Sequence, residues 1–181
     1  MDILIKTYFD KYRNVGQLPP EIDGSVDVKL FPDVEVLNKW RNWRTGLNYI
    51  DSDTGATLGG ALDDLGIKDG LYVPLDYKTR GFDVKPGGES YYKNQLNCYG
   101  LLLRKNDLPP ADHAYLIYYI PKEISEKGMV RFDIVPKKVP IDPDEALKTF
   151  QEAVELIKSP APSKHTECEY CSWGSGLLLE D

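Results

Sequence analysis

The chain is poor in the residues that cross-link or chelate without a fold to position them. Its 181 residues include three cysteines, two histidines and two methionines. An odd, small set of thiols makes no disulfide framework. No apolar run approaches the ~20 residues of a membrane span. The opening Met1-Asp2-Ile3-Leu4-Ile5-Lys6 has neither the basic start nor the long apolar core of a signal peptide, so the expected location is cytoplasmic. Positive charge is also in deficit: 22 lysines and arginines face 29 aspartates and glutamates, a net charge of −7. Phosphate backbones reward basic residues, and this balance argues against tight, indiscriminate duplex binding. It does not exclude a local basic strip. Lys39, Arg41 and Arg44, interleaved with Trp40 and Trp43, form one candidate.

What remains is an ordinary globular composition. Hydrophobic residues make up 41% of the chain, enough to bury a core in one domain spanning 1–181. Apolar spacing at Ile5, Tyr8, Phe9 and Tyr12 predicts a helix over 2–14. Residues 16–32 read mostly as loop, and a second helix is expected from 32 or 33 to about 44. Three strands follow, at 47–51, 57–65 and 71–78, with Lys68-Asp69-Gly70 as a hairpin turn. A helix over 90–105 is predicted, with Ser90 as its N-cap. The run Ala114-Tyr115-Leu116-Ile117-Tyr118-Tyr119-Ile120 is apolar on both faces and should be a central strand. A strand at 130–139 and a helix at 143–157 complete the series. Asp142 and Glu145 form the helix's capping box, and Pro143 its first turn. The order implies a mixed α/β fold, a central sheet flanked by helices.

The chemistry-bearing residues lie in Gly60-Ala61-Leu62-Asp63 and, thirteen positions after Asp63, Asp76-Tyr77-Lys78. Side chains alternate along a strand, so Asp76 and Lys78 share a face. Asp76 ends a mostly apolar stretch, and a buried carboxylate demands a partner. If the two strands pair, Asp63 stands beside Asp76 while Asp64 points the other way. Two carboxylates could then hold a hard divalent cation, with Lys78 near enough to orient water or stabilise charge on a phosphate oxygen. Gly59 and Gly60 leave room for close approach of a backbone or substrate.

These segments, followed by Gln95-Leu96-Asn97-Cys98-Tyr99, resemble the motif series of the PD-(D/E)xK nuclease superfamily, in particular its RecB-like group, which includes the CRISPR-associated iron–sulfur exonuclease. The resemblance implies a restriction-endonuclease-like core. It implies Mg²⁺ or Mn²⁺ on Asp63 and Asp76, Lys78 as the catalytic lysine, and Gln95 and Tyr99, one helical turn apart, contacting substrate or bracing the site. Many members carry a further His or Glu on the helix before these strands. Here that stretch, Glu35 to Arg44, has no histidine, and Glu35 is a weak substitute. The iron–sulfur relatives use four cysteines. This chain offers Cys168 and Cys171, with Cys98 inside a helix, so a complete cluster is not expected within the chain alone. His165 with Cys168 and Cys171 could take part in a zinc or partial iron–sulfur site lacking a fourth ligand; the alternative is a pair of plain thiols.

The leading expectation is thus a metal-dependent nuclease on DNA, single-stranded or at ends, taking specificity from protein partners. The competing one is a non-catalytic scaffold or nucleic-acid-binding protein on the same fold. A sugar- or lipid-modifying enzyme built on two carboxylates would leave Lys78, Gln95 and Tyr99 together unexplained.

Overall fold

The computed structural model describes residues 1–161, 163–165 and 167–177. The chain divides into two compact units, Met1–Lys148 and the residues from Thr149 onward.

The first unit is built on a five-stranded sheet of order β1-β4-β5-β6-β7. The strands are β1 (Lys29–Leu30), β4 (Asp64–Lys68), β5 (Leu71–Thr79), β6 (His113–Ile124) and β7 (Val130–Pro140). All neighbouring pairs are antiparallel except β5 and β6, which run parallel. The parallel pair requires a crossover, and α3 (Lys93–Lys105) lies within it. The tight β4–β5 turn, with Lys68 opposite Leu71, falls at Asp69-Gly70, both at positive φ (51° and 79°). An Asp-Gly pair is suited to that geometry because glycine carries no Cβ penalty there. A separate two-stranded ribbon joins β2 (Leu47–Ile50) to β3 (Thr57–Gly60).

Each face of the large sheet is covered by a helix, and strand alternation sorts the residues. Val73, Leu75 and Tyr77 of β5, with Tyr115, Ile117 and Tyr119 of β6, pack with Ile5 and Phe9 of α1 (Asp2–Arg13). Leu116, Tyr118 and Ile120 point the other way and pack with Leu96, Tyr99, Leu102 and Leu103 of α3. Both faces of β6 are therefore buried over 113–120, as its two-sided apolar run requires.

Three elements depart from the sequence expectation. The predicted 57–65 strand is two strands in different sheets. Residues 61–63 leave the ladder because the Leu62 N–H donates to the Trp40 carbonyl at 3.0 Å. That same carbonyl would otherwise accept from residue 44 in a continuing helix, so α2 (Val34–Trp40) stops short of the expected 44. Ser90 does not cap α3. It lies in a 3₁₀ turn, Gly88–Tyr92, and its hydroxyl donates to the Gly87 carbonyl at 2.7 Å, so the α-helix begins at Lys93. At α4 (Pro143–Lys158), Asp142 does cap, accepting from the Asp144 and Glu145 N–H groups at 2.9 and 3.0 Å. Asn97 mediates the return half of the box: its Oδ1 accepts the Asp142 N–H and its Nδ2 donates to Glu145.

In the second unit, α4 ends and α5 (Glu169–Leu177) follows. Among the described residues, no helix is long and apolar enough to cross a membrane.

Candidate active site

Because Val73, Leu75 and Tyr77 face α1, the alternate residues Asp76 and Lys78 face α3. There Gln95 and Tyr99, at i and i+4 of the helix, meet them. Gln95 Nε2 donates to Asp76 Oδ1 at 3.0 Å and to the Tyr99 hydroxyl at 2.7 Å. Gln95 Oε1 accepts from the Lys78 ammonium at 3.1 Å. The Lys78 ammonium also lies 2.7 Å from Asp76 Oδ2 and 4.4 Å from the centre of the Tyr92 ring. One glutamine thus ties a carboxylate, an ammonium and a phenol into a single network.

Asp76 is fully buried, and burial pushes its carboxyl up to about 6, with the nearby Asp63 charge raising it further and Lys78 opposing. Its Oδ2 receives no hydrogen bond among the described residues. The ammonium is close enough for a charge pair but lies off the direction a hydrogen bond needs. Burial likewise raises the Tyr99 phenol, whose hydroxyl accepts the Gln95 amide.

Asp63 stands in the irregular stretch just ahead of β4. Its Oδ2 accepts the Tyr77 main-chain N–H at 3.0 Å, which sets its carboxylate next to Asp76. Its Oδ1 pairs with the Lys6 ammonium of α1 at 3.0 Å. Burial is the largest influence on Lys6 and lowers its pKa, but Asp2 and Asp63 outweigh it and leave the group raised. The five residues Asp63, Asp76, Lys78, Gln95 and Tyr99 are therefore brought into one locality. Lys6 joins them from fifty-seven residues upstream of Asp63, with no local signal in the sequence to announce it.

The donor chemistry fits a hard divalent cation. Two carboxylates converge, Asp76 Oδ2 is buried without a hydrogen bond, and each of the two bears an ammonium where a cation would go. Among the described residues no cluster of three or more Asp, Glu, His or Cys is arranged to hold a metal, so water and phosphate would complete the shell, as Mg²⁺ prefers.

Asp64, the alternate acid, does face the opposite way. It is fully buried on the α1 side, where the Arg13 guanidinium reaches both of its oxygens (2.6 and 2.7 Å), Arg41 donates at 3.0 Å and the Tyr77 hydroxyl at 2.6 Å. Burial and the Asp64 charge raise the Tyr77 phenol well above its ordinary value. Asp10 accepts from both arginines.

The basic strip is corrected by this network. Arg41 is turned inward, and Trp40 packs on Phe31 with ring centres 5.2 Å apart. Only Lys39, Trp43 and Arg44 remain on the surface. The room predicted at Gly60 belongs to α3: a Cβ there would lie 2.5 Å from Leu102 Cδ1. In the second unit, Cys168 sits just before α5 and its sulfur accepts the Cys171 N–H at 3.4 Å, which lowers its thiol pKa. His165 Nδ1 accepts the Glu167 N–H at 3.2 Å.

No curated protein matches the chain. Among solved structures, the crystal structure of SSO0001 matches at 21% identity over 66% of this chain, with a TM-score of 0.36. The aligned region is 50% of that protein, so the chain spans half its length. The family model of the PD-(D/E)XK nuclease superfamily matches residues 12–175, a span that contains Asp63, Asp76, Lys78, Gln95 and Tyr99. The chain belongs to the PD-(D/E)XK nuclease superfamily.

Proposed function

We propose that this protein is a Mg²⁺- or Mn²⁺-dependent deoxyribonuclease of the RecB-like group, acting on single-stranded DNA or DNA ends as an exonuclease in repair, recombination or phage and CRISPR processing. The observation that carries the reading is the buried Asp76 carboxylate, short of a hydrogen bond at Oδ2 and joined by Gln95 to Lys78 and Tyr99.

Asp63 and Asp76 would hold the cation, which when bound supplies positive charge beside the scissile phosphate. Lys78 is the mobile charge of the site. Its ammonium can turn from Asp76 Oδ2 towards a phosphate oxygen or an attacking water, while Gln95 Oε1 keeps it within reach. The Gln95 amide clamps Asp76 Oδ1 and leaves Oδ2 beside the Lys78 ammonium. Tyr99 fixes the glutamine from behind. Burial of Asp76 keeps bulk water from competing for the same oxygen. Partner proteins would supply targeting, since the net charge of −7 gives little non-specific hold on DNA.

Labelled single- and double-stranded DNA incubated with the protein and Mn²⁺ tests the reading. Cleavage is expected, and it should vanish with chelator and in Asp76→Ala and Lys78→Ala. Cleavage that persists in both variants sinks the assignment. The second reading, a non-catalytic scaffold or nucleic-acid-binding protein, is favoured by the Lys6 ammonium already resting on Asp63 Oδ1. Calorimetric titration separates the two: no heat from Mn²⁺ at millimolar concentration selects the scaffold.

A further inference from the structure

Of the six arginines in the chain, four are matched to carboxylates: Arg13 and Arg41 to Asp10 and Asp64, Arg104 to Asp144, and Arg131 to Asp133 and Glu123. Arg44 and Arg80 meet no carboxylate among the described residues. Each instead lies against an exposed aromatic ring, Arg44 5.1 Å from the centre of Trp43 and Arg80 5.2 Å from that of Phe82.

Arg80 is set apart by its position. It continues the series Asp76, Lys78, Arg80, the alternate positions of one strand line, and its main-chain N–H still bonds the Tyr119 carbonyl of β6 at 3.1 Å. Two strand residues advance roughly 6.7 Å, comparable to one sugar–phosphate repeat of an extended chain. The guanidinium donates to the Tyr92 hydroxyl at 3.0 Å and lies 5.7 Å from the centre of that ring, the same ring that the Lys78 ammonium faces. A third ring, Tyr118, stands 5.6 Å away. Rings thus hold the guanidinium in place while its planar fork keeps donors free for an anion, and that fork matches phosphate. Phe82 is 58% exposed, a large apolar ring left in water beside a cation and next to the candidate cleavage centre.

We propose that Arg80 and Phe82 form the subsite for the nucleotide adjoining the scissile phosphate of single-stranded DNA, Arg80 taking the neighbouring phosphate and Phe82 stacking on the base. The subsite rests on the nuclease reading. Single-stranded DNA is the occupant because a ring can stack only on a base released from its pair, and because the chain's negative charge disfavours a duplex.

The test is binding without cleavage. The full chain, in chelator, is titrated against a fluorescent oligothymidine and against an abasic oligomer of equal length, with anisotropy as readout. The wild type is expected to prefer the thymidine strand by about tenfold, and Phe82→Ala to lose that preference, as base–aromatic stacking predicts. Arg80→Ala should weaken both strands and reduce the slope of log affinity against log salt by about 0.7, one phosphate contact on a single strand. Arg80→Lys should restore the slope. Circular dichroism and thermal melting confirm that the variants are folded. Phe82→Ala retaining the base preference, or Arg80→Ala retaining the salt slope, overturns the subsite, and tighter binding of oligouridine overturns the choice of DNA. A wild type that binds as expected but leaves DNA uncut with Mn²⁺ overturns the nuclease reading alone.

Discussion

Asp64 and Asp76 are both fully buried, twelve residues apart, and face opposite sides of one sheet. Their surroundings could hardly differ more. Asp64 is saturated: two guanidinium groups and a phenol converge on it, and they tie α1 and α2 to the strand that carries it. Asp76 is left short. One ammonium and one amide approach it, Oδ2 lacks a hydrogen bond, and its carboxyl titrates near 6. A buried acid with every lone pair engaged is an anchor. One with an oxygen to spare can take a cation and sense protons. The same sheet thus separates architecture from chemistry by strand parity alone.

Removing each acid should act in opposite directions on stability and on activity. Asp64→Ala leaves two buried guanidinium groups with Asp10 as their one remaining carboxylate, and we expect a loss of about 3–5 kcal/mol of stability in denaturant unfolding. Asp76→Asn should leave stability near or above wild type while cleavage falls by about 10³-fold, the scale of removing one key transition-state contact.

The titration of Asp76 gives the next effect. Folded, the carboxyl holds its proton to about pH 6; unfolded, it releases it near 3.8. Between those values the folded chain binds more protons, so this group's contribution to stability falls as pH rises. It is fully present below 3.8 and gone above about 6, a change of up to about 3 kcal/mol. Other carboxylates slope the opposite way, so the measurement is the wild-type unfolding free energy minus that of Asp76→Asn across this window. A flat difference would remove the basis for treating Asp76 as proton-sensitive.

Tyr77→Phe deletes one donor from the saturated acid while both arginines remain, and should cost about 1–2 kcal/mol in the same unfolding assay. The smallest expected change is at the site itself. Lys6→Ala removes an ammonium from Asp63 Oδ1, and Mn²⁺ affinity measured by calorimetry should rise about fivefold, the equivalent of about 1 kcal/mol of relieved repulsion.

Much of this arrangement could be read in the sequence because it is local. The Asp69-Gly70 turn, the parity that puts Asp76 and Lys78 together, and the helical spacing of Gln95 and Tyr99 all depend on neighbours within a few positions. So does the opposite facing of Asp63 and Asp64. The missing parts are the long-range ones. Arg13 reaches Asp64 across fifty-one residues, and nothing in Tyr12-Arg13-Asn14 indicates a buried ion pair. Arg41 read as a surface base beside tryptophans, because a guanidinium looks the same in sequence whether it meets phosphate or a buried carboxylate. The break at residues 61–63 was hidden for a related reason: Gly59-Gly60-Ala61-Leu62 continues the strand pattern, and only the Trp40 carbonyl, twenty-two positions before Leu62, diverts it.

The single Arg13 nitrogen, Nη2, that reaches both oxygens of Asp64 also constrains descent. A lineage that replaces either partner first passes through a form with an under-paired ion in its interior, Asp64 left to Arg41 or Arg13 left to Asp10. Exchange at positions 13, 41 and 64 is therefore expected to be concerted, with the trio giving way together to apolar side chains of matching volume or persisting unchanged. Among homologues, those three positions should be inherited as one character.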